Sequence, residues 1–195
     1  MGDLDRAQAL CEESLALGRR LGDDDTIANG ALNLGNLAAF RSDPGRSIEL
    51  YQVALEAWRR TGNIDGQAFA LCNLACTALY DEDDPDTAPA WFQQSLASRS
   101  ELGDRRGMAD CLAGLAGCAG KIGRTERSAR PYGAAAALRT GIGAWIIPQM
   151  QALEDGISIS IRAAMGGEAF AAAFAAGAAL SPDDAVAEAL ARSDP

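Results

Sequence analysis

Apolar residues recur along this chain at three- and four-residue steps. Ala7, Leu10, Cys11, Ser14 and Leu15 are spaced to share one face of a helix, because positions that far apart stack on the same side of an α-helix. The stripe returns as Ser47, Leu50, Tyr51, Ala54 and Leu55. Blocks of this type start at Ala7, Ser47, Ala88 and Ser128, separated by 40, 41 and 40 residues. A second block, starting at Ala31, Ala70 and Cys111, is interleaved with the first and keeps Leu34, Leu74 and Leu115 in register. No segment sustains two-residue alternation, so strands are not predicted.

Helix breakers fall between the blocks. Gly22, Gly62, Gly103 and Gly141 stand where a left-handed residue closes a helix. Asp43-Pro44 and Asp84-Pro85 each offer an N-cap followed by a proline in the first turn. Residues 2–5 read as a tight turn leading into a helix from Leu4 to Leu21. A lone helix pair cannot bury its apolar face, whereas stacked pairs share a continuous core and present a concave surface. The pattern predicts an all-α fold of about three and a half helix pairs. Residues 1–141 would hold the repeats, starting in the middle of one, and residues 142–195 a helical cap. In that cap Phe170 and Phe174 share a helical face, and Ser181-Pro182 starts a last short helix. The predicted consequence at the other end is an exposed apolar stripe along residues 4–21.

The spacing resembles the tetratricopeptide repeat. Leu34-Gly35, Ala38, Ser47, Tyr51, Ala54 and Leu55 fall at its signature positions, as do Leu74-Ala75, Ala78, Ala88, Phe92, Ser95 and Leu96. Leu115-Ala116, Ala119, Gly123, Ser128, Tyr132 and Ala135 make a third copy. The copies depart from the standard motif, lacking its tryptophan and proline; their longer period, with LGD or TGN between helices, resembles a long-helix subtype found in bacterial regulators. The resemblance implies a right-handed superhelix. The C-terminal stretch through Gly166–Phe170, Ala173, Gly177, Leu180, Ser181, Ala185 and Val186 is similar to the tail of large actinobacterial ATPase-type regulators, which often carry a LuxR-type DNA-binding domain. The resemblance implies a cytoplasmic scaffold or sensor segment of such a regulator. The chain has neither the GxxxxGK[ST] phosphate loop nor a basic recognition helix.

Composition narrows the chemistry. A formal net charge of −10 in 195 residues argues against direct nucleic-acid or anionic-membrane partners. The absence of histidine removes the commonest general base and metal ligand. Cys11, Cys72, Cys76, Cys111 and Cys118 form no CxxC pair and lie in apolar helical patterns, as core residues of a reducing compartment do. The acidic runs Asp23–Asp25 and Asp81–Asp84 lack the spacing of a calcium loop and suit helix N-termini. Trp58, Trp91 and Trp145 are read as packing residues rather than a ligand cage, and Trp145, in a turn between helices, would mark a partner surface if exposed. No catalytic residue, cofactor or metal site is predicted, and the expected role is binding rather than catalysis.

In the resembling family the first helix of each repeat lines the concave groove. Counting from Leu34 places Asn29, Asn33, Asn36 and Phe40 there, then Phe69, Asn73 and Tyr80, then Asp110 and Lys121. An asparagine both donates to and accepts from a peptide backbone. The resemblance gives Asn33 and Asn73 that role, and Gly114 interrupts the row. The expected partner is a protein or peptide, a neighbouring domain of the parent regulator, or an inducer. The alternative is a stand-alone homo-oligomer, with a homodimer formed through the N-terminal edge.

Overall fold

The computed structural model describes residues 2–82, 84–143 and 148–191. Every element among them is an α-helix: α1 (Gly2–Leu21), α2 (Asp24–Phe40), α3 (Pro44–Thr61), α4 (Ile64–Tyr80), α5 (Ala88–Glu101), α6 (Arg105–Lys121), α7 (Thr125–Ile142), α8 (Pro148–Met165), α9 (Gly167–Ala178) and α10 (Pro182–Ala191). They form two compact units, Met1–Asp83 and Asp84–Pro195. In the first, α1 packs on α2, α2 on α3 and α3 on α4. In the second, α6 packs against both α5 and α7. There α9 lies along α7, α8 touches α6, α7 and α9, and α10 rests on α5, α6 and α7.

The caps explain where helices start. Asp23, Asp43, Asn63 and Asp104 each stand just before a helix and accept a hydrogen bond from the amide three residues on. Each satisfies one of the four N–H groups that a helix start leaves bare. Ser181 does the same for α10, accepting from the Asp184 amide at 3.1 Å while its hydroxyl donates to the Asp184 carboxylate at 2.6 Å.

Three boundaries differ from the sequence expectation. Residues 2–5 are helical, not a turn. Asp3 and Asp5 sit in the first turn of α1, where the helix dipole favours negative charge. The left-handed residue after α7 is Gly143 (φ 61°), so Gly141 stays inside the helix. Asp84-Pro85 does not open α5. The Asp84 carboxylate accepts from the amides of Asp86 (3.2 Å) and Thr87 (3.0 Å). That side-chain turn competes with the helix, which starts at Ala88 with Pro89 in its first turn.

Aromatic and small residues interlock between neighbouring helices. The Tyr51 ring lies against Gly35, the Trp58 indole against Gly66, and the Phe92 ring against Gly114. In each case a Cβ on the glycine would overlap the ring. In the second unit α7 and α9 cross backbone to backbone. A Cβ at Gly133 would collide with the carbonyl oxygen of Phe174, and one at Gly177 with that of Arg130. Beside the crossing, Phe174 stands 5.8 Å from both Tyr132 and Phe170, edge-on to Tyr132. Phe170, Ala129 and Ile161 are the buried heart of this cluster.

Candidate functional site

One spacing repeats on the first helix of each pair. Asn29, Asn33, Asn36 and Phe40 run along α2, and Phe69, Asn73, Cys76 and Tyr80 along α4 at the same steps. Asp110, Gly114, Gly117 and Lys121 follow on α6. Steps of four, three and four residues keep each set on one helical face. The α2 set is exposed at all four positions. On α4, Phe69 is exposed while Asn73 and Tyr80 are half-buried.

These side chains are not equally free to meet a partner. Asn29 donates from Nδ2 to the Asp25 carbonyl at 2.8 Å, a bond within its own helix. Asn36 accepts the Tyr51 hydroxyl at 2.8 Å. That bond gives a polar partner to a phenol whose pKa burial raises. Asn33 is exposed. Asn73 holds its Nδ2 atom away from solvent with no hydrogen-bond partner, a donor whose desolvation is uncompensated in this state. At the third copy the row breaks for a steric reason, because the Phe92 ring occupies the space a side chain at Gly114 needs.

Asp110 belongs to a different arrangement. Its Oδ1 accepts from Arg139 Nη2 at 2.9 Å, and Arg139 Nη1 donates to Glu154 Oε2 at 2.6 Å. Side-chain exposure is 8% for Arg139 and 3% for Glu154, against 45% for Asp110. Burial pushes the Glu154 carboxyl above its ordinary value, with Arg139 opposing the rise. Burial likewise works against the Arg139 charge, yet its two carboxylate partners leave the guanidinium holding its proton more tightly than usual. Sequence reading passed over this residue. The signal was present: Gly18, Trp58, Arg99 and Arg139 are 40, 41 and 40 residues apart. Arg99 is also buried, lying against Gly107 and paired with Asp104.

Other candidates resolve as packing or caps. Trp58 is buried and Trp91 half-buried, whereas Trp145 lies outside the described residues. Asp23 caps α2, and Asp24 pairs with Arg60 at 2.5 Å. None of the five cysteines is in a disulfide. Burial pushes the Cys118 thiol up to about 12, so it stays protonated and unreactive at neutral pH. Among the described residues no group of three or more His, Cys, Asp or Glu could hold a metal ion. Among them, too, no helix is long and apolar enough to cross a membrane.

Comparison with known proteins agrees with this architecture. The family model described as tetratricopeptide repeat matches residues 1–60 and 26–101. Proteins of Mycobacterium bovis and of two Mycobacterium tuberculosis strains, each named "Putative HTH-type transcriptional regulator", are 39% identical to the chain over 104 residues. The match takes in 53% of the chain and 12% of each relative.

Proposed function

The chain belongs to the tetratricopeptide-repeat family, and we propose that it is a non-catalytic interaction or ligand-sensing scaffold of a larger transcriptional regulator, working in the cytoplasm. Its α2 and α4 faces take up a peptide, a protein surface or an inducer. The observation that carries this reading is the repeated face itself: an exposed amide at Asn33, its counterpart Asn73 with an unpartnered donor, and exposed rings at Phe40 and Phe69. Amides fix a partner's backbone while rings supply area. Occupancy favours whichever arrangement of neighbouring domains binds the partner better. The name printed for the relatives, putative HTH-type transcriptional regulator, supports this reading.

The test uses peptides selected from a displayed random library on the wild-type chain. Asn33→Ala and Asn73→Ala together should weaken the selected peptides at least about tenfold, the worth of two hydrogen bonds of about 1 kcal/mol each. The thermal unfolding curve should not fall, since the substitution at Asn73 removes a buried donor that has no partner. Equal affinity for the double variant would falsify the assignment of this face.

A second reading, self-association through α1, has its own observation. Leu10, Leu17 and Leu21 are 58%, 40% and 70% exposed, whereas the repeat counterparts Leu50 and Ala57 are buried. A helix face of that kind suits a second copy or a partner helix. Light scattering decides it: a dimer that Leu10→Asp with Leu21→Asp converts to monomer supports the reading. A wild-type monomer at high concentration sinks it.

A further inference from the structure

On the side of α1 opposite its exposed leucines, a hollow of about 390 Å³ opens between α1, α2 and α3. Pockets of this size take small molecules. The floor is apolar: Leu15, Leu34, Ala38 and Leu50 are all buried. The wall carries Arg19, Arg41 and Arg46, three cationic side chains around one hollow in a chain of net charge −10. The two carboxylates on the same wall already have tasks. Glu12 accepts from Gln8 Nε2 at 2.8 Å, and Asp43 caps α3 through the Arg46 amide at 3.1 Å.

The repeat architecture does not require Arg41 or Arg46, whereas Arg19 is matched one period on by Arg59. One period on, the counterpart of Arg41 is Asp81 and that of Arg46 is Thr87. Nor do they hold the fold through strong pairs. Arg41 reaches Asp5 at 2.8 Å and also bonds Gln8, while Arg46 reaches Glu49 at 2.8 Å. Both ion pairs are largely exposed, and surface pairs of this kind contribute little to stability. Their guanidinium forks can therefore turn to a ligand carboxylate, which they match by two parallel bonds. None of the amides or rings of the α2 and α4 faces lines the hollow.

We propose that this hollow binds a small amphipathic acid, its carboxylate held by Arg19, Arg41 and Arg46 and its apolar body lying on Leu15, Leu34, Ala38 and Leu50. The site is separate from the repeated asparagine face, so either assignment can fail without the other. It would make the first unit a receptor for an organic acid.

Calorimetric titration of the full chain with sodium octanoate tests this, with 1-octanol and octylammonium as probes of equal apolar length. Octanoate should bind saturably at one site, at least about tenfold more tightly than either probe, since charge-assisted bonds to the arginines are lost with them. Arg41→Gln with Arg46→Gln should remove that preference and leave the octanol signal as it was. Leu37→Trp, which puts an indole on the hollow's lining without touching a charge, should abolish binding of all three. Unchanged far-ultraviolet circular dichroism confirms that each variant is folded. Octanoate that fails to saturate by about 10 mM, binds no better than octanol, or is indifferent to both sets of substitutions overturns the proposal.

Discussion

Arg139→Leu should lower the stability of the second unit by about 3–5 kcal/mol, the usual loss when one member of a buried ion pair is removed. The size follows from what is stranded. Glu154 is 3% exposed, and its Oε1 atom already lacks a partner. Without the guanidinium its Oε2 loses its 2.6 Å bond as well, leaving a carboxylate in an apolar setting. Asp110, half in solvent, should matter far less. Glu154→Leu alone should also destabilise, by leaving the cation without its buried partner. The double variant should recover most of the loss, because an apolar pair of similar volume replaces an ion pair at little or no cost.

The pH dependence has a definite sign. The folded-state pKa of Glu154 is raised above 4.5, chiefly by burial. A raised carboxyl contributes stability that is present below its unfolded value and lost as pH rises through the folded one. Removing Arg139 takes away the group opposing that rise, so the pKa should climb further. The deficit of Arg139→Leu should be largest near neutrality and shrink as pH falls toward 4.5. Urea unfolding of wild type and variant across that range measures it, and a deficit independent of pH would assign the loss to packing alone.

Gly177→Ala should destabilise by about 2–3 kcal/mol, although alanine is the better helix former by about 1 kcal/mol. At an open helical position the sign is the opposite. Gly156, in α8, has nothing near the place a Cβ would take, so Gly156→Ala should stabilise by up to about 1 kcal/mol. At Gly177 the added methyl meets the Arg130 carbonyl of α7, and backbone cannot swing aside as a side chain can. The two helices must separate, loosening the Phe174 ring from Tyr132. Gly133→Ala should behave alike, since its methyl meets the Phe174 carbonyl. Thermal unfolding of the three variants reads the contrast directly, and a Gly177→Ala as stable as wild type would mean that α7 and α9 part at the crossing without loss.

The helices were legible because the apolar period, the Asp and Asn caps and the 40-residue register all agreed. The boundaries that shifted did so where a local interaction competed. The Asp84 carboxylate took amides that a helix would have used, and at the end of α7 two glycines lay close enough for either to close it. The α2 and α4 faces were legible as positions but not as states. Spacing cannot tell that Asn36 is engaged by Tyr51 or that Asp110 serves Arg139, because both bonds join residues on different helices. Glu154 was harder still: nothing local marks one glutamate on an amphipathic helix as the one facing inward. The acid-binding hollow draws on three helices, and its arginines look in sequence like ordinary surface charge.

The equivalent positions Trp58, Arg99 and Arg139 bear on how such chains diversify. The indole at 58 is matched by the glycine at 66, and the guanidinium at 99 by the glycine at 107. Arg139 finds Glu154 on the next helix. Each match lies between a helix and its immediate successor, so α3–α4, α5–α6 and α7–α8 each carry lock and key together. For this position the block that travels intact is a hairpin cut out of phase with the conventional repeat, whereas the Tyr51–Gly35 match of α2–α3 and the Arg139–Asp110 bond of α6–α7 travel with the conventional pair. Exchange of α5–α6 as a block carries Arg99 with Gly107 and Phe92 with Gly114, whereas a cut between those helices separates both matches.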